Sequence, residues 1–248
     1  MIHIITAVHN RKRITEKFVE LILKQSYKDI HLILVDDGSE DGTGRMVREK
    51  LPACTIIEGD GNLWWGGSLH QAYNWVKRNL SDKHDDYIMI SNDDVYFDEK
   101  YVEIAMEHLR EFPGMVITGK GYGKNSGKLL DGAIKVTYQK KWNESKYEII
   151  ENQTGDCAST RSLFLSVDNF IKIGGFHPIL LPHYGSDYEW TIRAARKGFP
   201  VISFEDLKYF FEEDTTGDNF YDKLTVKKIF NKRSVTNPIY KYVFIFLA

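Results

Sequence analysis

The sequence predicts an α/β fold: a mostly parallel, doubly wound sheet flanked by helices, followed by a smaller antiparallel portion. Three observations predict it. Over residues 2–79, short apolar runs alternate with segments whose apolar residues recur at helical spacing, joined by short loops. Two of the apolar runs, Ile30–Val35 and Tyr87–Ser91, stop at paired carboxylates, and open α/β sheets bind ligands just outside the carboxyl ends of their strands. Between Lys128 and Glu151, alternation replaces helical spacing, with Ile134, Val136 and Tyr138 on one face and Tyr147 and Ile149 in a second run.

In chain order, Ile2–Val8 is a buried strand closed by His9, Asn10 and Arg11. Ile14, Phe18, Leu21 and Ile22 predict an amphipathic helix running to Gln25. Ile30–Val35 is a second strand, ending at Asp36 and Asp37, and a turn-rich connection over residues 38–43 leads into a helix over Gly44–Lys50. Thr55–Ile57 is a third strand. The loop after it carries Gly59, Gly61, Gly66 and Gly67, which let backbone approach a ligand closely and present N–H groups to anionic oxygens. A helix over Ser68–Asn79 would turn its positive end to the same place. The adjacent Trp64 and Trp65 cannot both point into one core. One reading packs at least one of them inside; the other lays one against a ring-shaped ligand.

Tyr87–Ser91 is a central strand that ends in Asn92, Asp93 and Asp94. Adjacent carboxylates repel and are better tolerated with a cation or hydrogen-bond donor between or beside them. A hard divalent ion bridging diphosphate oxygens wants one or two carboxylates there; the structural alternative is a turn and an N-cap for a helix starting near Asp98. A helix over Tyr101–Leu109 and a strand over Met115–Thr118 follow, and the cluster Gly119, Gly121 and Gly123 reads as a loop. Ser162–Val167 is a strand and Asn169–Ile173 a short helix ended by Gly174 and Gly175. The next helix, Asp187–Lys197, stops at Gly198 and Pro200. Ser186 with Glu189 fits a capping box. Asp187 is either a favourable first-turn charge or a carboxylate, ionised at neutral pH, that serves as general base for an alcohol.

Composition narrows the classes. The 248 residues are 42% hydrophobic, enough for one large α/β domain or one with an elaborated second half. Lys and Arg number 33 against 35 Asp and Glu, which gives no global signature of a nucleic-acid binder. Cys54 and Cys157 lie far apart without metal-ligand spacing, so a reducing compartment is favoured over a disulfide scaffold. The first strand begins at Ile2, where a signal peptide would lie, and no run is long and apolar enough to span a bilayer. The expectation is a cytoplasmic protein, peripheral at most on the inner face of the membrane.

Taken together, VDDGSEDGT (35–43), the glycine-rich loop, NDDV (92–95) and SDYEWTIRAARKGF (186–199) stand in one order that resembles glycosyltransferase family 2, the inverting nucleotide-sugar transferases with the GT-A, Rossmann-like fold. GNLWWGGSLHQAYNW (61–75) and the turn at Gly174 look more like the bacterial rhamnosyl- and galactofuranosyl-transferase branch, which builds surface polysaccharides. The resemblance covers residues 2–204 and implies a nucleotide-sugar half, 1–97, and an acceptor and catalytic half, 98–204.

The resemblance also implies roles. Asp36 and Asp37 match the acidic pair that holds base and ribose. Asp93 and Asp94 match the DXD element, with Asp94 the direct ligand of Mg²⁺ or Mn²⁺ and Asp93 nearer the ribose. Asn10, Asp60, Asn62 and Gly67 are placed with them on the nucleotide-sugar side. Asp187 matches the catalytic base, and Trp65, Glu189 and Trp190 fall on the acceptor side. The implied partners are a UDP- or dTDP-linked sugar and a glycan or lipid-linked acceptor. Two departures stand out: the family's Gly-Phe-Asp turn reads Gly175-Phe176-His177, and its later metal-binding His has no counterpart near residues 210–212. The rival readings are a non-catalytic nucleotide-sugar or glycan-binding domain of this fold and a sugar-phosphate nucleotidyltransferase, whose G-x-G-T-R loop is replaced here by His9-Asn10-Arg11-Lys12.

The remaining extension, 205–248, is acidic and then basic. From Lys223 onward there is no acidic residue, and Lys223, Lys227, Lys228, Lys232, Arg233 and Lys241 are interleaved with aromatics. Such a segment suits an anionic membrane surface; the alternative is a C-terminal helix packed on the domain with its lysines solvated.

Overall fold

The computed structural model describes residues 1–137, 146–150, 154–213 and 237–247. The first half alternates β1 (Ile2–Val8), α1 (Lys12–Lys24), β2 (Ile30–Asp36), α2 (Thr43–Lys50), β3 (Thr55–Glu58), α3 (Trp64–Asn79) and β4 (Tyr87–Ser91). β1 pairs in parallel with both β2 and β4, and β2 with β3. The strands read as continuous apolar runs because both faces are covered. Ile4, Leu34 and Met89 pack to one side with Phe18, Val47 and Val102, while Ile5, Ile33 and Ile88 pack to the other with Leu69, Val76 and Phe170.

The second half contains β5 (Val95–Tyr96), α4 (Tyr101–Glu111), β6 (Val116–Gly123), β7 (Leu129–Asp131), β8 (Ile134–Thr137), β9 (Lys146–Ile149), β10 (Thr154–Gly155), β11 (Ser162–Ser166), α5 (Val167–Ile173), α6 (Ser186–Arg196), β12 (Val201–Phe211) and α7 (Pro238–Leu247). Among the described residues one sheet runs in the order β10-β12-β6-β11-β4-β1-β2-β3, with β5 beside β12 and β7 beside β6. β11 lies antiparallel between β4 and β6, and β8 and β9 form a separate antiparallel ribbon, so the expected mixture is present. The chain leaves β1 toward β2 and β3, then returns on the other side to β4. That reversal opens a crevice at the carboxyl ends of β1 and β4, the place where such sheets take ligands.

Three expectations are corrected. The glycine cluster is part of β6, not a loop: a Cβ on Gly119 would collide with Tyr101 Oη and stand 2.9 Å from Tyr209 Cδ1, so the strand is bare where two buried tyrosines cross it. The boundary at residue 204 falls inside β12, which pairs with β6 as far as Phe211 and Gly123. Ser186 and Glu189 form no capping box. Gly185, at φ +79°, is the N-cap; Ser186 Oγ donates to His183 O at 2.7 Å, and Glu189 pairs instead with Arg193. The expected face residue Tyr138 and the basic cluster over 223–233 lie outside the described residues.

α7 packs on the domain through Phe244, beside Ile192 and Tyr188 and 3.3 Å from where a Cβ on Gly185 would stand. Ile239, Tyr242 and Phe246, at helical i, i+3, i+7 spacing, remain exposed, Phe246 to 89%. No described helix is long and apolar enough to cross a membrane.

Gly119→Ala is expected to destabilise the fold by about 1–3 kcal/mol through overpacking, read as a lower urea midpoint at unchanged slope. An unchanged midpoint would mean that the tyrosines yield without cost.

Candidate functional site

Two adjoining cavities open at the crevice. One, of about 450 Å³, is lined in part by Arg11, Asp93, Asp94, Asp131, Arg161 and Asp187. The second, of about 410 Å³, is lined in part by His9, Asp37, Gly61, Trp64 and Ser68. Ala7, Arg11, Trp65 and His183 border both, so the pair forms one cleft.

The second cavity is shaped by Asp37. Its Oδ1 accepts the Gly61 N–H at 2.8 Å, and its Oδ2 accepts those of Leu63 and Trp64 at 3.0 Å each. The amides expected to face a ligand's anionic oxygens therefore hold a carboxylate of the chain's own, seated at the start of α3 where negative charge is favoured. This arrangement holds Trp64 at φ +60°, an uncommon conformation for a bulky residue. Its ring lies 5.9 Å from that of His183 at the cavity wall. Asp36 is buried and accepts the Ser39 N–H at 3.0 Å. Asn10 ties the same connection: its N–H donates to Ser39 Oγ at 2.9 Å, and its Oδ1 accepts the Glu40 N–H at 2.8 Å. Asp60 and Asn62 are exposed, and Asp60 Oδ1 accepts the Asn62 N–H at 2.9 Å. Gly67 is buried beside Leu63 and Pro178 and does not line the cavity. The closest approach belongs to Gly66. A Cβ there would sit 2.5 Å from Leu181 O, and its N–H donates to Pro182 O at 2.9 Å. That contact brings α3 against the loop leading to Asp187.

In the first cavity, the cation between the adjacent carboxylates is Arg11. Its Nη2 stands 2.9 Å from Asp93 Oδ1 and 2.9 Å from Asp94 Oδ2, and its Nε donates to Asp93 Oδ2 at 3.2 Å. Thr15 Oγ1 donates to Asp93 Oδ2 at 2.8 Å. Burial pushes the Asp93 carboxyl above the ordinary carboxylate range, against the pull of Arg11 and Thr15. Asp94 Oδ1 is buried with no hydrogen-bond partner.

Asp187 lies half-buried at the first turn of α6 and faces this cavity. Burial pushes its pKa up to about 6; Asp131 adds to the shift, while the backbone N–H groups of Tyr188 and of Asp187 itself, with Arg161, hold it down. The acceptor-side expectation is corrected for its neighbours. Glu189 is buried and paired with Arg193 at 2.7 and 3.1 Å, and Arg193 also donates to Ile173 O and Gly175 O. Trp190 has no exposed surface; its Nε1 donates to Gly174 O at 2.7 Å, and its ring stacks on Phe176. Both fix α6 to the turn at Gly174 and neither lines the cavity. Trp65 does line it, with its Nε1 donating to Thr160 Oγ1 at 3.0 Å.

Sequence reasoning missed Arg11, Asp131 and Arg161. Asp131 ends β7 as other carboxylates end β2 and β4; buried, it accepts from Ser159 Oγ at 2.5 Å, Tyr209 Oη at 2.8 Å and Arg161 Nη1 at 3.4 Å. Arg11 directly follows Asn10 in the turn after β1, so its position was a usable signal. Arg161 lies over the Phe211 ring at 4.1 Å, a contact that nothing in the local sequence announces.

A family model described as "Glycosyl transferase family 2" matches residues 3–168. Glycosyltransferase GlyG of Streptococcus pneumoniae serotype 4 is 28% identical over 169 residues, covering 66% of this chain and 54% of that protein. Among solved structures, S. aureus TarS 1–349 in complex with UDP-GlcNAc superposes with a TM-score of 0.65 at 13% identity, covering 98% of this chain and 65% of that one. The mannosyltransferase PcManGT from Pyrobaculum calidifontis, in complex with GDP-Man and Mn²⁺, gives 0.62 at 15%, covering 87% and 58%. These likenesses show the GT-A fold. The chain spans about half the length of GlyG.

Asp37→Ala removes the acceptor of three backbone N–H groups and is expected to cost about 1–3 kcal/mol of stability; Asp37→Asn, which keeps one acceptor oxygen, should cost less. Urea unfolding of both variants checks the order, and equal stability of Asp37→Ala and wild type would contradict it.

Proposed function

The chain belongs to glycosyl transferase family 2, and from that premise we propose that it moves a sugar from a nucleoside-diphosphate sugar to a hydroxyl of a glycan or lipid-linked acceptor, with inversion, in bacterial surface polysaccharide synthesis. The observation that carries the reading is Asp187: a carboxylate raised to about 6 in the same cavity as Asp93 and Asp94. A base of that strength is ionised at neutral pH yet takes up a proton more readily than an ordinary carboxylate. Asp187 removes the acceptor hydroxyl's proton as its oxygen attacks the anomeric carbon from the face opposite the leaving diphosphate. The donor's nucleoside lies in the second cavity, beside Asp37 and Trp64, with Asp36 and Asn10 holding the connection behind it. Asp60 and Asn62 stand at its exposed rim, and Trp65 borders the acceptor.

A divalent ion, Mg²⁺ or Mn²⁺, fits the residues present. The cavity's four carboxylates, Asp93, Asp94, Asp131 and Asp187, face two guanidiniums, Arg11 and Arg161, and the unpartnered Asp94 Oδ1 offers an open acceptor. Among the described residues no group of three His, Cys, Asp or Glu side chains is arranged to hold a metal. Asp94, with Asp93 beside it, would hold the ion, leaving other positions to water and donor oxygens. When bound, such an ion offsets the charge growing on the leaving diphosphate. Complexes of TarS with UDP-GlcNAc and of PcManGT with GDP-Man and Mn²⁺ support trying these ligand classes first. Likeness to the rhamnosyl- and galactofuranosyl-transferase branch adds UDP- and dTDP-linked hexoses and deoxyhexoses.

The exposed stripe of α7 extends the reading to a lipid surface. Ile239, Tyr242 and Phe246 face outward, and the sequence from residue 223 onward carries basic and no acidic residues. That combination suits peripheral binding to an anionic bilayer, where each Lys or Arg near the surface contributes ~1 kcal/mol.

Incubation with nucleotide sugars and Mn²⁺ should yield nucleoside diphosphate and glycosylated product. Asp187→Asn should lose about 10²–10⁴-fold in transfer while keeping donor affinity; near wild-type transfer by a folded variant would remove Asp187 from the role. A binding module would hold donor and form no product. Since the base acts ionised, kcat/KM should fall about tenfold per pH unit below about 6, and a flat profile from pH 7 to 5 would contradict the assignment. Flotation with anionic liposomes should carry the protein up at low salt and less at high salt; Tyr242→Glu with Phe246→Glu should abolish it. Salt-independent flotation, or flotation that survives both substitutions, would exclude this docking.

A further inference from the structure

Arg11 stands where the two cavities meet and borders both. A donor lying across the cleft, nucleoside in one cavity and sugar in the other, places its diphosphate at that junction. Yet Arg11 is engaged elsewhere: one nitrogen, Nη2, bridges Asp93 and Asp94 at 2.9 Å each. The two halves of this contact differ. Asp93 is buried and has a second donor in Thr15, so it is held without help from a ligand. Asp94 Oδ2 has Arg11 as its hydrogen-bond partner, while its Oδ1 has none. The Arg11 side chain is 34% exposed, on a turn that opens into the cleft.

We infer that Arg11 is a diphosphate-positioning residue whose guanidinium holds the Asp93–Asp94 pair until a divalent cation arrives and then turns to the donor's diphosphate. The inference rests on the nucleotide-sugar reading of the site and deepens it. A cation at Asp94 and the guanidinium compete for the same carboxylate, and two positive centres on one acidic pair repel. A displaced guanidinium finds its best remaining partner in the phosphate oxygens, whose geometry matches its planar fork. Lysine in its place would keep the charge and lose the fork.

The consequence is a pair of effects of opposite sign, readable by titration calorimetry without any transfer reaction. Arg11→Gln should bind Mn²⁺ alone more tightly than wild type, because the competitor is gone. The same variant, with Mn²⁺ present, should bind UDP, dTDP or GDP, whichever wild type prefers, about tenfold or more weakly, the loss expected for a charge-assisted hydrogen-bonded contact. Binding of the corresponding nucleoside should be unchanged. Arg11→Lys, which leaves Asp93 a cationic neighbour if the neutral variant folds poorly, should bind Mn²⁺ as wild type does and the diphosphate more weakly. A folded Arg11→Gln that binds Mn²⁺ no more tightly, or the diphosphate as well as wild type does, overturns the inference alone. Failure of wild type to bind any of the three diphosphates with Mn²⁺ overturns the donor reading and this inference with it.

Discussion

The cleft depends on one carboxylate meeting three backbone amides. Asp37, at the end of β2, gathers the N–H groups of Gly61, Leu63 and Trp64, and so fixes where the glycine-rich loop ends and α3 begins. The left-handed backbone at Trp64, worth about 1–3 kcal/mol of strain in such positions, persists because these bonds over-determine it. Once α3 is set, Gly66 N–H meets Pro182 O, and the loop carrying His183 and Gly185, which leads into Asp187, is brought against the same helix. A single acidic side chain thus connects the wall of one cavity to Asp187 in the other.

The same economy governs charge. Carboxylates following β2 and β4, at the end of β7 and at the start of α6 line the two cavities of the cleft, and each is handled differently. Asp37 is absorbed by backbone amides, Asp131 by Ser159, Tyr209 and Arg161, and Asp93 by Arg11 and Thr15. Asp94 and Asp187 are left incompletely matched, one with an unpartnered oxygen and the other with a raised pKa. Those two keep capacity for a ligand or a proton, whereas a fully satisfied carboxylate has little left to offer.

Most of the parallel half was legible because each strand is a continuous apolar run and each helix has one apolar face. Acid pairs after two of the strands pointed to the place where the cleft opens. What was not legible followed from contacts distant in sequence. β6 looked finished at Thr118 because nothing nearby says that Tyr101 and Tyr209 occupy the space over Gly119 and Gly121. β12 lacked a helical or turn signal to bound it. Glu189 and Trp190 carried the pattern of site residues, yet their partners, Arg193 and Gly174 O, turn them into the anchor of α6. Local pattern gave the right helix and could not say which of its faces meets the cleft.

That anchoring bears on Asp187 itself. Asp187 sits at the start of α6, where helix amides favour its ionised form, while burial opposes ionisation and wins. Such a balance is useful only if the carboxylate stays put, because a small outward swing would restore hydration and an ordinary pKa. Trp190 bonded to Gly174 O and stacked on Phe176, Arg193 spanning Glu189, Ile173 and Gly175, and Phe244 closing on Gly185 together hold that turn. Buried residues that do not line the cavity therefore help to set the proton affinity of one that does, and α7, through Phe244, joins the exposed apolar stripe to the residue two positions before Asp187.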